Sequence, residues 1–182
     1  MEAIGNLDLI PEHRRVAGAG SSYLMAPFTH VSRDRPSRFS DGSYGVLYIG
    51  QAFETALFET MHHHARFMAD TGQDAGWTSQ FRELILNVTA TVCDGRGLAA
   101  SDPVLSPDDY APGQSLARRL RESGVDGLVY PSVRNPGGAC VGLFYPDLAS
   151  APIQGRHLDY HWDGARIDFY RNAGTHEVFA VR

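Results

Sequence analysis

The chain has 182 residues, a length that favours one domain and suffices for a sizeable core. Hydrophobic residues make up 43% and charged residues 20%, an ordinary globular balance that excludes a disordered chain. The net charge of −5 argues against a general nucleic-acid binder, and no apolar run approaches the ~18 residues of a membrane helix. Neither nucleic acid nor membrane is therefore an expected partner. The start, MEAIGNLDLIPEHRR, has no basic n-region and no apolar h-region, so no signal peptide is predicted and the cytoplasm is the expected address.

The first informative stretch is RPSRFSDGSYGVLYIGQAFETALFET, residues 35–60. Arg35 and Arg38 stand in a loop whose turn is already supplied by Ser40-Asp41-Gly42-Ser43, so turning alone does not account for them. Residues 44–50, YGVLYIG, read as a short strand between Gly-containing turns, and residues 52–69 as a helix. Along that helix Phe53, Ala56, Leu57, Met61, Ala65 and Met68 form one apolar stripe. Glu59 projects roughly 150° from the centre of that stripe, off the core side. ELILNVTATVCDG then alternates, with Leu84, Leu86, Val88, Ala90 and Val92 on one face, and predicts one long half-buried strand ended by Asp94-Gly95.

Leu98 to Pro112 reads as an ordered loop, and GQSLARRLRESG as a short amphipathic helix capped by Gly124. DGLVYPS and CVGLFYP predict two core strands joined by the loop VRNPGGA. The tail from residue 156 to 182 has Asp-Gly and Asn-Ala-Gly turns between aromatic, alternating runs and predicts β-hairpins. Few helices and many strands, without regular βαβ alternation or internal repeats, give a single α+β domain.

Chemistry-bearing residues fall into a few groups. In His62-His63-His64, neighbouring side chains point about 100° apart on a helix, so the three cannot share one ion. With no HExxH and no CxxC, no metal is expected, and the three histidines are expected to take no part in activity. Cys93 and Cys140 sit in apolar strands and read as buried free thiols rather than nucleophiles. GxSxG and P-loop motifs are missing, which leaves the common hydrolase and NTPase routes unsupported. In YPSVRNPGGAC, by contrast, Ser132, Arg134 and Asn135 follow a buried strand, and a Gly pair there permits close approach of backbone to a ligand.

Arg38 before a strand, Tyr48 at the end of VLY, Glu59 in ETALFE and Ser132 in YPSVR together resemble the RES domain, over about Arg14 to Tyr145. This chain reads SRFS around Arg38 where many family members have Gly-Arg-Trp-Asn, and Arg14, Arg15 and Arg35 compete for the family's first arginine. The resemblance implies an ADP-ribosyltransferase-like mixed sheet flanked by a few helices. It implies a toxin-type enzyme that cleaves the nicotinamide–ribose bond of NAD+ by phosphorolysis or hydrolysis, with NAD+ as substrate and no resident cofactor. Alternatives are ADP-ribose transfer to a protein and a non-enzymatic RNA- or partner-binding module. The implied partner is an Xre-like helix-turn-helix antitoxin, and inorganic phosphate is a candidate second substrate. The implied catalytic residues are Glu59, Arg38, Tyr48 and Ser132, and Arg35, Arg134 and Asn135 join Arg38, Tyr48 and Ser132 in binding NAD+.

Overall fold

The computed structural model describes residues 5–181. Among these residues three α-helices and two four-stranded sheets make up the regular structure. The helices are α1 (Ser21–Thr29), α2 (Phe53–Asp70) and α3 (Ala111–Glu122). The strands are β1 (Leu47–Gly50), β2 (Trp77–Ile85), β3 (Val92–Asp94), β4 (Gly127–Pro131), β5 (Ala139–Leu143), β6 (Ile153–Trp162), β7 (Ile167–Asn172) and β8 (Val178–Ala180). The fold class is α+β.

The first sheet runs β1-β5-β4-β3 and is mixed: β1 and β4 are antiparallel to β5, and β3 is parallel to β4 through the α3 crossover. Both of its faces are covered. Phe39, Tyr44, Leu105 and Ala117 pack with Leu128 and Tyr130 on one side, and Leu24 of α1 with Val141, Leu143 and Leu148 on the other. That double burial is why its strands read as continuous apolar runs. The second sheet, β2-β6-β7-β8, is wholly antiparallel, and its hairpins occupy the turn-rich tail.

Helix α2 joins the two sheets. Leu57, Met61 and Met68 of its apolar stripe are buried against Leu158, Tyr160 and Trp162 of the second sheet. Each such side chain contributes about 1.5–3 kcal/mol on burial. Its N-terminal end lies so close to β1 that a Cβ at Gly50 would stand 2.9 Å from the Ala56 Cα. Helix α3 starts with Pro112 in its first turn, where no amide hydrogen is needed. It ends on Gly124 at φ +79°, with Val125 N–H donating to Leu120 O (3.0 Å) and Gly124 N–H to Arg121 O (3.0 Å).

One expected element is divided. The alternating run predicted as a single strand over 83–95 contributes the end of β2 to one sheet and β3 to the other, with residues 86–91 crossing between them. Thr89 N–H donates to Leu148 O (2.9 Å) and Ser150 N–H to Asn87 O (2.8 Å) along that crossing, so its backbone is satisfied by the 146–150 segment rather than by a ladder. Helix α1 and the first half of β2 had no counterpart in the sequence reading. Among the described residues no helix is long and apolar enough to cross a membrane.

Candidate active site

The site is built on α2. Thr55, Glu59 and His63 follow at intervals of four and so share one helix face, turned away from the stripe that meets the second sheet. Thr55 is buried at 1% exposure, which requires its hydroxyl to find a partner. The partner is Asn135, whose Nδ2 donates to Thr55 Oγ1 at 2.9 Å and so docks the β4–β5 loop onto the helix. The docking is tight enough to require Gly138: a Cβ there would run into Thr55 Oγ1 and stand 2.7 Å from Asn135 Nδ2. Gly137 beside it takes φ +84°, the left-handed region open to glycine.

This loop fixes Ser132 against Glu59. Ser132, buried at 8% exposure, accepts the backbone N–H groups of Arg134 (3.2 Å) and Asn135 (2.9 Å) on its Oγ. Both lone pairs of the hydroxyl are then used, so its single proton is committed to Glu59 Oε1 at 2.6 Å. Glu59 is thereby an acceptor with one oxygen pinned, and Cys140 Sγ lies 3.9 Å from the same oxygen. Burial, with the nearby Glu59 charge adding, pushes the Cys140 thiol up to about 11, so it stays protonated.

Glu59 opens into a cavity of about 280 Å³ whose walls include Arg38, Tyr48, His63, Tyr110 and Tyr130. Arg38 Nη1 donates to the carbonyls of Val104 (3.2 Å) and Ser106 (2.7 Å), and its guanidinium lies over the Tyr110 ring at 5.2 Å. The 98–112 loop thus holds one edge of the guanidinium. Among the described residues Arg38 has no carboxylate partner, so its charge remains available to an anion. Tyr48 is 38% exposed, but its hydroxyl is turned inward, 2.8 Å from Ser37 Oγ and accepting Phe39 N–H at 2.9 Å. Loss of water around that hydroxyl pushes its pKa up to about 12. The Tyr48 ring is thus anchored at its tip where it lines the cavity.

The structure brings Arg38, Tyr48, Glu59 and Ser132 together. Asn135 and Arg134 do not line the cavity: Asn135 holds the loop to Thr55, and half-buried Arg134 sits one residue beyond Ser132's neighbour, its charge acting on His62 and His63. Arg35 is exposed and borders an adjoining depression of about 260 Å³ that shares Ser37 and Tyr48 with the cavity. Arg14 is a structural clamp, paired with Asp126 (2.7 Å) and Asp147 (3.0 Å) over the Tyr145 ring, and Arg15 Nε donates to Ile10 O. In the SRFS segment, Phe39 is fully buried in edge contact with Tyr130 (4.8 Å), and the Ser40 hydroxyl donates to Tyr44 O.

The sequence reading gave Thr55 and Tyr110 no role and expected His63 to take no part in activity. It treated the three histidines as one group, and the rotation per residue that denies them a shared ion places His63 alone on the cavity wall. Its spacing of four from Glu59 was the available signal. His62 and His64 instead each bury an Nε2 without a partner among the described residues.

A family model described as the RES domain matches residues 12–163, most of the chain, and the chain belongs to that family. The match extends past Tyr145 through β6 to the β6–β7 turn. The family is one of toxin-type, generally NAD-using proteins. No curated protein matches the chain.

Proposed function

We propose that this protein cleaves the nicotinamide–ribose bond of NAD+, handing the ADP-ribosyl group to phosphate or water. The observation that carries the reading is the Glu59 carboxylate, pinned by Ser132 inside a cavity that also holds the uncompensated Arg38 guanidinium. Departure of nicotinamide builds positive charge on the ribose, as in glycoside hydrolysis. A carboxylate held beside that sugar is worth about 3–4 kcal/mol to the transition state. Ser132 fixes its position in advance, so no reorganisation is needed as the charge forms.

Arg38 suits the pyrophosphate, whose oxygens a planar guanidinium grips in pairs. The Tyr48 face suits the cationic nicotinamide ring. The cavity is small for a dinucleotide, since ligand pockets run from about 300 to 1,000 Å³. Tyr48, Gly50, Ala56 and Thr60 also line a neighbouring groove of about 530 Å³ between α2 and β2, and in this reading the remainder of the dinucleotide extends towards it. An enzyme that destroys NAD+ needs a partner to hold it inactive. In this reading that partner is an Xre-like antitoxin placing an acidic group against Arg38.

The test is to incubate the purified protein with NAD+, with and without phosphate, and identify products by mass. Nicotinamide with ADP-ribose or its 1″-phosphate is expected. ADP-ribose on the protein or on an added acceptor protein replaces this reading with transfer, and intact NAD+ removes it.

A further inference from the structure

We infer that His63 is a catalytic base that takes the proton from a neutral hydroxyl nucleophile, water in the first instance, as it captures the ribosyl cation. This rests on the proposed NAD+ cleavage and names a residue for its second half. His63 stands one helical turn beyond Glu59 on the same face of α2 and lines the same cavity. The residue reaches solvent while its ring is partly screened by the protein around the cavity, and among the described residues neither ring nitrogen has a hydrogen-bond partner, so a lone pair is free to accept.

The other groups around the cavity are unsuited to this step. Glu59 must stay anionic beside the sugar, and a proton gained there would remove the charge that stabilises the cation. Arg38 is a hydrogen-bond donor only and offers no lone pair to a proton. Tyr48 and Tyr130, both raised by burial, and Cys140, at about 11, keep theirs at neutral pH. The groups that face His63 are Glu59, His62 and Arg66 on its own helix, Arg134 on the β4–β5 loop and Arg38 on the loop before β1. Burial lowers the His63 pKa first; Glu59 opposes, and Arg134, Arg66 and Arg38 lower it further, which keeps the ring neutral and able to accept.

The step balances. The C1–N bond breaks with its electron pair left on the pyridine nitrogen, so nicotinamide departs neutral. A lone pair of the water oxygen forms the C1–O bond, and the surplus proton passes to His63 and from there to solvent. Hydrogen phosphate is different: the attacking oxygen is already anionic and no proton has to leave. His63 therefore matters for water or a hydroxyl acceptor and much less for phosphate, which makes the ratio of the two products the quantity to read.

The experiment gives wild type, His63→Gln and His63→Asn saturating NAD+ and a fixed phosphate concentration, and quantifies ADP-ribose against ADP-ribose-1″-phosphate by mass. General bases contribute about 10²–10⁴-fold, so both variants should lower the ratio of ADP-ribose to phosphate ester at least ~100-fold. A purely structural role for His63 slows both products alike and leaves the ratio unmoved. An unmoved ratio, or a wild type that forms no ADP-ribose when phosphate is withheld, overturns the inference while cleavage stands. A wild type that releases no nicotinamide under either condition overturns the cleavage reading itself.

Discussion

At the scale of single residues, the proposed function assigns one group to the transition state and another to binding. Glu59→Gln keeps the shape of the side chain and removes its charge. It is expected to lower kcat by about 10²–10³-fold at saturating NAD+ while the fold persists. Arg38→Ala is expected chiefly to raise KM, because the pyrophosphate is held equally in ground and transition states. Steady-state kinetics on the two variants separates the roles, and the same pattern in both contradicts them. Arg134 supplies a third test. Its charge lies next to the Ser132 turn, outside the cavity lining but near enough to act on His63, and has no carboxylate partner among the described residues; in the proposed reading it draws free phosphate towards the sugar. Arg134→Ala should shift product from the phosphate ester towards ADP-ribose, the opposite direction from His63→Gln.

The histidines also give stability a pH dependence. His62 is lowered from 6.5 to about 4, by burial first and then by the charges of Arg134, His63 and Arg66, with Glu59 opposing. A folded-state pKa below the unfolded value means the unfolded chain binds more protons between those values, so stability is full above about 6.5 and falls as pH drops towards 4. His63 and His64, both lowered chiefly by burial, act with the same sign. Thermal melts from pH 7 to 4 should show a declining Tm, and His62→Asn should flatten part of that decline. A Tm that rises over this interval contradicts the assignment.

At the scale of elements, the decisive contact is the β4–β5 loop on α2. Asn135→Ala leaves the buried Thr55 hydroxyl without its partner and should cost about 1–3 kcal/mol of stability. It should also reduce activity, because Ser132 takes its position from the same loop. Denaturant unfolding and turnover on one preparation check both effects; a variant as stable and active as wild type contradicts the docking role. The same elements show what a sequence discloses. The α2 stripe was legible because one-sided burial imposes a period on its side chains, and the strands of the first sheet because burial on both faces makes them short continuous apolar runs. Alternation along Leu84, Leu86, Val88, Ala90 and Val92 also reports burial correctly in part: Leu86, Ala90 and Val92 pack against the core. It does not encode which strand is the partner, so a crossing between sheets continues the period unbroken. Helix α1 was hidden by Pro27 in its last turns, and the start of β2 by the polar Ser79 and Glu83, which share the more buried face with Phe81 and break the apolar alternation. Within the site, Glu59 and Ser132 were legible through the family resemblance. The roles of Asn135 and Thr55 were not, because they depend on a contact across 80 residues of chain.

At the scale of the whole molecule, two sheets share one helix, and the cavity sits where the first sheet's strand ends meet that helix. Under the proposed function, inhibition would need only the cavity mouth. A partner that places a carboxylate against Arg38 should block turnover, and removal of that acidic segment should restore turnover while the remaining surface still binds. Titration of NAD+ consumption against full-length and shortened partner checks this, and a complex with undiminished turnover contradicts it. The central claim is that Glu59, pinned by Ser132, drives cleavage of the nicotinamide–ribose bond. It is tested most directly by following nicotinamide release from saturating NAD+ by wild type and Glu59→Gln side by side, in phosphate buffer, with both proteins shown to be folded. The account predicts steady release by wild type and a loss of about 10²–10³-fold in the variant. Equal rates, or no release by the wild type, contradict it.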